Sequence, residues 1–134
     1  MPVLESMGFR VIDVDLWGYK HKKGRDIIVE IKGQRASLEL KYDKLSEKTH
    51  NVAIDWDSMS KTQSRYWIFG LPENGKVAVY AMYASQLRDF ALGYVRSHPE
   101  SMKRVGEFKQ YCAMIPKYTF ISQPFISKWC EVVL

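Results

Sequence analysis

The stretch Gly24–Asp43, GRDIIVEIKGQRASLELKYD, decides how the rest of the chain is read. Asp26 opens an apolar run, a tight turn at Gly33-Gln34 reverses the chain, and the returning run carries Glu39-Leu40-Lys41. Successive side chains of a strand point to opposite faces, so residues 39 and 41 share one face and 38, 40 and 42 the other. The polar face gathers Glu39 and Lys41 with Asp26 from the neighbouring strand. Ile27, Val29 and Ile31 join Leu38 and Leu40 on the apolar face. Two carboxylates and an ammonium on a strand pair are the groups that a hard divalent ion and a phosphate require. A second Glu-x-Lys, Glu30-Ile31-Lys32, can pair in the same way with Asp13 or Asp15 of the preceding strand. A solvated face of alternating charges, held by cross-strand pairs, accounts for either pattern as well. Periodicity alone leaves all three open.

Working outward, Pro2–Met7 reads as a short helix and Phe9–Trp17 as a strand with one polar face. GYKHKKG, residues 18–24, is a basic hairpin loop, and strands follow over 26–32 and 36–42. Lys44–His50 is polar and irregular, Asn51–Trp56 is a short strand, and Ser58–Ser64 is a polar connector with room for one helical turn. Arg65–Leu71 is apolar throughout, as a central strand buried on both faces should be. A turn at 72–75 leads to a strand over 76–82. Ser85 caps a helix to about Arg96, whose Leu87, Phe90, Ala91 and Tyr94 recur at helical spacing. Gln110–Pro116 is a further strand, and the tail with Phe120, Phe125 and Trp129 has no place that periodicity assigns.

The length of 134 residues suits a single domain with its own core, and 46% hydrophobic with 26% charged residues is ordinary globular composition. A net charge of +5 and a pI near 9.2 suit a polyanionic partner. Cys112 and Cys130 are too few and too far apart for a disulfide framework or a thiolate metal site, and read as buried reduced thiols. His21, His50 and His98 have no ligand or dyad spacing. No apolar run reaches the length of a membrane span and no signal-peptide pattern opens the chain, so a cytoplasmic protein with no membrane partner is expected.

In chain order, R-D-I-I-V, L-E-L-K-Y-D, T-H-N-V-A-I-D and T-Q-S-R-Y-W-I-F resemble the PD-(D/E)xK nuclease superfamily. More narrowly they resemble a phage-type branch of its restriction-endonuclease-like and Holliday-junction-resolvase-like members. The resemblance covers about residues 24–92. It implies an α/β fold, a restriction-endonuclease-like mixed β-sheet flanked by helices with an αβββαβ core. One domain would then span 1–134, with the core at about 1–96 and a C-terminal extension at 97–134. It assigns Asp26, Glu39 and Lys41 as the catalytic set. Asp26, Glu39 and the Leu40 backbone carbonyl would hold Mg²⁺ or Mn²⁺. Glu5 is a further candidate ligand, otherwise an exposed helix charge. Asn51 and Asp55 stand at supporting positions, and Thr62, Tyr66 and Trp67 fall on the last motif. Departures are His50 for a usual Gly, Asp55 for a Glu, Arg65 for an Asp, and Asp57-Ser58-Met59 for Ser-Gly-Ile.

The implied activity is metal-dependent endonucleolytic cleavage of duplex or branched DNA in phage-type nucleic-acid metabolism, in the host cytoplasm if phage-encoded. The alternative is a nucleic-acid-binding or structural protein that keeps the fold without turnover. Lys20, Lys22, Lys23 and Arg25 before the motif, and Lys44, Lys48 and Lys61 after it, are candidate phosphate contacts. Trp17 and Tyr19 are candidates to touch a base, whereas Tyr66, Trp67 and Phe69 read as core. Members of this size often dimerise, and the aromatic tail is the candidate interface.

Overall fold

RYWIFGL enters β5 (Tyr66–Glu73) in the computed structural model, which describes residues 10–14, 27–31, 33–105 and 109–133. β5 is central: it pairs in parallel with β3 (Gln34–Tyr42) and antiparallel with β6 (Lys76–Tyr83). With β1 (Arg10–Val14), β2 (Ile27–Ile31) and β9 (Ser127–Val133) these form a six-stranded mixed sheet in the order β1-β2-β3-β5-β6-β9. Two of its hairpins close on left-handed residues: Gly33 (φ 79°) between β2 and β3, and Asn74-Gly75 (φ 52° and 77°) between β5 and β6. Positive φ at both Asn74 and Gly75 matches the right-handed twist of the strands they join.

Parallel strands need a crossover. Here the chain leaves β3 through α1 (Ser46–Thr49), β4 (Asn51–Asp55) and α2 (Trp56–Lys61) before entering β5. β4 does not join the main sheet. It pairs with β8 (Gln110–Pro116), which pairs with β7 (Met102–Val105), in a second sheet ordered β4-β8-β7. α3 (Ala84–Ser97), a 3₁₀ turn (Pro99–Ser101) and α4 (Lys117–Ile121) complete the described elements. The architecture is mixed α/β, with two sheets and few helices.

The principal core lies on the face of the main sheet that carries Trp67, Phe69 and Leu71. Val52 and Ile54 of β4, Ala113 and Ile115 of β8, Leu87 and Ala91 of α3, and Phe120 of α4 pack against it. A smaller cluster of Leu38, Ile68, Val79 and Ala81 occupies the other face. Both faces of β5 are therefore apolar-packed, as its composition requires.

Four expectations change. The stretch 44–50 is not irregular: Ser46–Thr49 is helical and His50 closes it at φ 61°. The helical turn allowed for in the connector after β4 is α2, but it starts at Trp56, within the expected strand, because the Asp55 carboxylate accepts the N–H groups of Asp57 and Ser58. Ser85 does not cap α3 but lies inside it, with Tyr83 at the N-cap. Residues 110–133 are integral to both sheets, since β8 pairs with β4 and β9 with β6. Phe120 is fully buried, Phe125 packs on Phe90 with 5.7 Å between centroids, and Trp129 covers the smaller cluster. Of the aromatic groups read as an interface, Phe120 is buried and Phe125 and Trp129 are half-buried. The expected helix over 2–7 lies outside the described residues.

Candidate functional site

Glu39 and Lys41 do share a face of β3, but that face is not simply polar. Glu39 aligns with Trp67 and Lys41 with Phe69, so both belong to the side of the sheet that carries the principal core. Glu39 is consequently only 4% exposed. Lys41 stands over the Trp67 ring, with Nζ 5.4 Å from its centroid. An ammonium held on an indole face is both attracted and positioned. The indole is fixed in turn, because Trp67 Nε1 donates to Thr62 Oγ1 at 3.2 Å. The same oxygen accepts the Ser64 N–H at 3.2 Å. Thr62 and Trp67, which the sequence motif joined only by spacing, therefore form the support beneath Lys41.

Lys41 opens on a cleft of about 330 Å³ between the two sheets, lined also by Asp43, Asp55, Phe69 and Cys112. Asp43 follows β3 and ties three elements together. Its N–H donates to the Gly70 carbonyl at 3.1 Å, its carbonyl accepts the Ser46 hydroxyl at 2.8 Å, and its Oδ2 accepts the Ala53 N–H at 2.8 Å. Asp55 ends β4, pairs with Cys112 and spends Oδ1 on capping α2. Burial pushes the Cys112 thiol up to about 11, and the negative charges of Asp55 and Asp43 add to this while Lys41 opposes it. Both carboxylates and the ammonium therefore act on the same small volume. From β7, Val105 lines the cleft; Lys103 lies opposite Cys112, which lies opposite Asp55, so one row crosses the second sheet. Directly opposed residues share a face.

The remaining assignments divide. Lys44 lines the cleft. Asn51 sits at the other end of β4 from Asp55, paired with Pro116, and does not line the cleft. Lys48 is exposed in the last turn of α1. Lys61 forms an exposed ion pair with Asp57 at 3.1 Å on α2. Leu40 packs its side chain against the smaller cluster on the opposite face. Glu30 pairs with Arg35, four residues before Glu39 on β3, so the rival Glu-x-Lys belongs to the other end of the β2–β3 ladder. Asp26, Glu5, Lys20, Lys22, Lys23, Arg25, Trp17, Tyr19 and Lys32 lie outside the described residues. Two cleft residues went unassigned in the sequence. Asp43 shares the parity of 39 and 41, a signal that was present; Cys112 had none, because only the β4–β8 pairing brings it there.

An all-oxygen set of carboxylates and a carbonyl is chemically fit for a hard divalent ion. Among the described residues, no group of three His, Cys, Asp or Glu side chains is placed to hold one. No helix among them is long and apolar enough to cross a membrane. No family model matches the chain, and no curated protein matches it in sequence.

Proposed function

We propose that the chain is a Mg²⁺- or Mn²⁺-dependent endonuclease of the restriction-endonuclease-like class, acting on duplex or branched DNA. The observation that carries this is the alternation of Glu39 and Lys41 on the core face of β3, one pleat apart, with Lys41 opening on a cleft that also holds Asp43 and Asp55. The cleft lies where parallel strands β3 and β5 run towards their carboxyl ends, the place where open α/β sheets take ligands. Three antiparallel strands followed by a fourth parallel to the third support the αβββαβ arrangement. Ile27, next after Asp26 in sequence, pairs with Leu38, next before Glu39. That register supports Asp26 and Glu39 as one set.

In this reading Asp26, Glu39 and the Leu40 carbonyl would hold the metal ion, which when bound supplies charge neutralisation at the phosphate and a more acidic water. Lys41, fixed by the Trp67 face, stabilises charge on the phosphoryl oxygens as water adds to phosphorus and the ester oxygen leaves. Lys44, which lines the cleft, and Lys103, on the β7 strand next to Cys112, contact flanking phosphates and make binding salt-dependent. A non-catalytic nucleic-acid-binding protein is the second reading. It is favoured by the structural duties of Asp43 and Asp55, whose carboxylates each hold backbone N–H groups.

Conversion of supercoiled plasmid to nicked circles, with Mg²⁺ and with chelator, separates the two. Metal-dependent nicking lost in Lys41→Ala and Glu39→Gln, but retained in Glu30→Gln, is the expected result. No metal-dependent nicking by the wild type, with DNA binding unchanged in Asp26→Ala, would leave only the binding protein.

A further inference from the structure

A second cavity, of about 420 Å³, lies at the amino end of β5, lined by Arg65, Tyr83, Ser85 and Arg88 together with Ser64 and Thr62. Among the described residues, no acidic side chain lines it. Neither arginine forms an ion pair among the described residues. The Arg65 guanidinium stands 5.4 Å from the Tyr66 ring centroid and 5.8 Å from that of Tyr83, and the two rings are 4.9 Å apart. Stacking holds a guanidinium by its face and leaves the in-plane N–H edge free to donate. Arg88 reaches only the Met59 carbonyl, at 3.5 Å, and its Nε is buried with no hydrogen-bond partner. A buried donor without an acceptor is costly, and a charged one more so.

The backbone adds to the same deficit of negative charge. α3 begins at Ala84 beside the cavity, with no side-chain hydrogen bond at its N-cap and no acid in its first turn. The Ala84 N–H is used by the Arg65 carbonyl at 2.9 Å. The following N–H groups belong to the unpaired amino end of a 14-residue helix, where the dipole favours an anion. Two arginines, one with an orphaned Nε, and serine side chains thus line one cavity, with nothing anionic among the described residues that line it.

We propose that this cavity is a phosphate-binding site, separate from the cleft beside Lys41. Arg65 and Arg88 supply the charge-assisted donors, and Ser85 with the first N–H groups of α3 complete the oxygen cage. Thr62 lines the cavity and accepts from the indole beneath Lys41, so the two sites share one hydrogen-bonded link. The site stands on these groups alone, without metal and without cleavage. The same chemistry serves a nucleic-acid phosphodiester and a free or terminal phosphate.

The test is a metal-free NMR titration of ¹⁵N-labelled full-length protein with inorganic phosphate at constant ionic strength, repeated with a short single-stranded DNA. Saturable shifts are expected at the Ser85 and Gln86 amides and at the Arg65 and Arg88 side-chain N–H groups. Arg65→Gln, at an exposed position, should weaken phosphate binding roughly ten-fold, the loss of about one charge-assisted contact. Arg88→Gln should abolish both the shifts and the rise in melting temperature that phosphate causes in the wild type. Shifts with both ligands assign the site to a phosphodiester backbone; shifts with inorganic phosphate alone assign it to free or terminal phosphate. Shifts scattered over surface lysines, or affinity unchanged in Arg65→Gln, overturn the site. Because no metal or turnover is involved, an inactive nuclease would leave this result untouched.

Discussion

Replacing Thr62 by valine removes one oxygen and keeps the shape, and it tests the support under Lys41 directly. That oxygen accepts from Trp67 Nε1 and from the Ser64 N–H, each at 3.2 Å. Trp67 is fully buried and Thr62 only 9% exposed, so neither donor gains water in exchange. A buried donor left unsatisfied costs about 1–3 kcal/mol. Two such donors, with some relaxation at Ser64, give an expected loss of about 2–4 kcal/mol. With an m-value of about 2 kcal/mol/M, typical of small proteins in urea, the midpoint should fall by about 1–2 M. The assay is urea unfolding followed by far-UV circular dichroism for wild type, Thr62→Val, Trp67→Phe and the double variant. Phenylalanine has no indole N–H, so the Thr62→Val penalty should shrink by about 1–2 kcal/mol in that background. A loss under about 0.5 kcal/mol, or an equal loss in both backgrounds, would refute the Thr62–Trp67 support.

Cys112 and Phe120 offer independent checks. The Cys112 thiol is raised to about 11 in the fold, above its unfolded value, so the neutral form is favoured and its contribution is complete below about pH 8.5. Stability should therefore fall as pH rises from there towards 11, by at most roughly 1.4 kcal/mol per pH unit, and Cys112→Ala should flatten that fall in urea melts across pH 8–10. Asp55→Asn should lower the pH midpoint of Cys112 alkylation, because Asp55 is the largest charge acting to raise it. Phe120 is fully buried and meets Phe69 edge-on at 5.2 Å. Phe120→Ala should cost about 3–5 kcal/mol by thermal or urea unfolding; a loss below about 1 kcal/mol would remove the C-terminal segment from the core.

What could be read from the sequence was local. Alternation gave β2 and β3 and put Glu39 and Lys41 on one face; glycine and asparagine marked the hairpin turns; the apolar RYWIFGL run marked the central strand. Helical spacing located the stripe of α3, of which Leu87 and Ala91 are buried. Even Asp43 was legible through its parity with 39 and 41. Alternation states which face a side chain occupies but not which strand lies alongside or what covers the face. The parallel neighbour β5 turned the Glu39 side of β3 into a buried surface. The pairing of Asp55 with Cys112, more than fifty residues along the chain, closed the cleft and gave the thiol its charged surroundings. Likewise Arg65 and Arg88, which no local pattern joins, line one cavity because α3 follows β6 back to the start of β5. Residue type and local period thus determined the strands and the chemistry each could carry. Pairing between distant strands, whose partners leave no mark on local pattern, decided which of those groups meet.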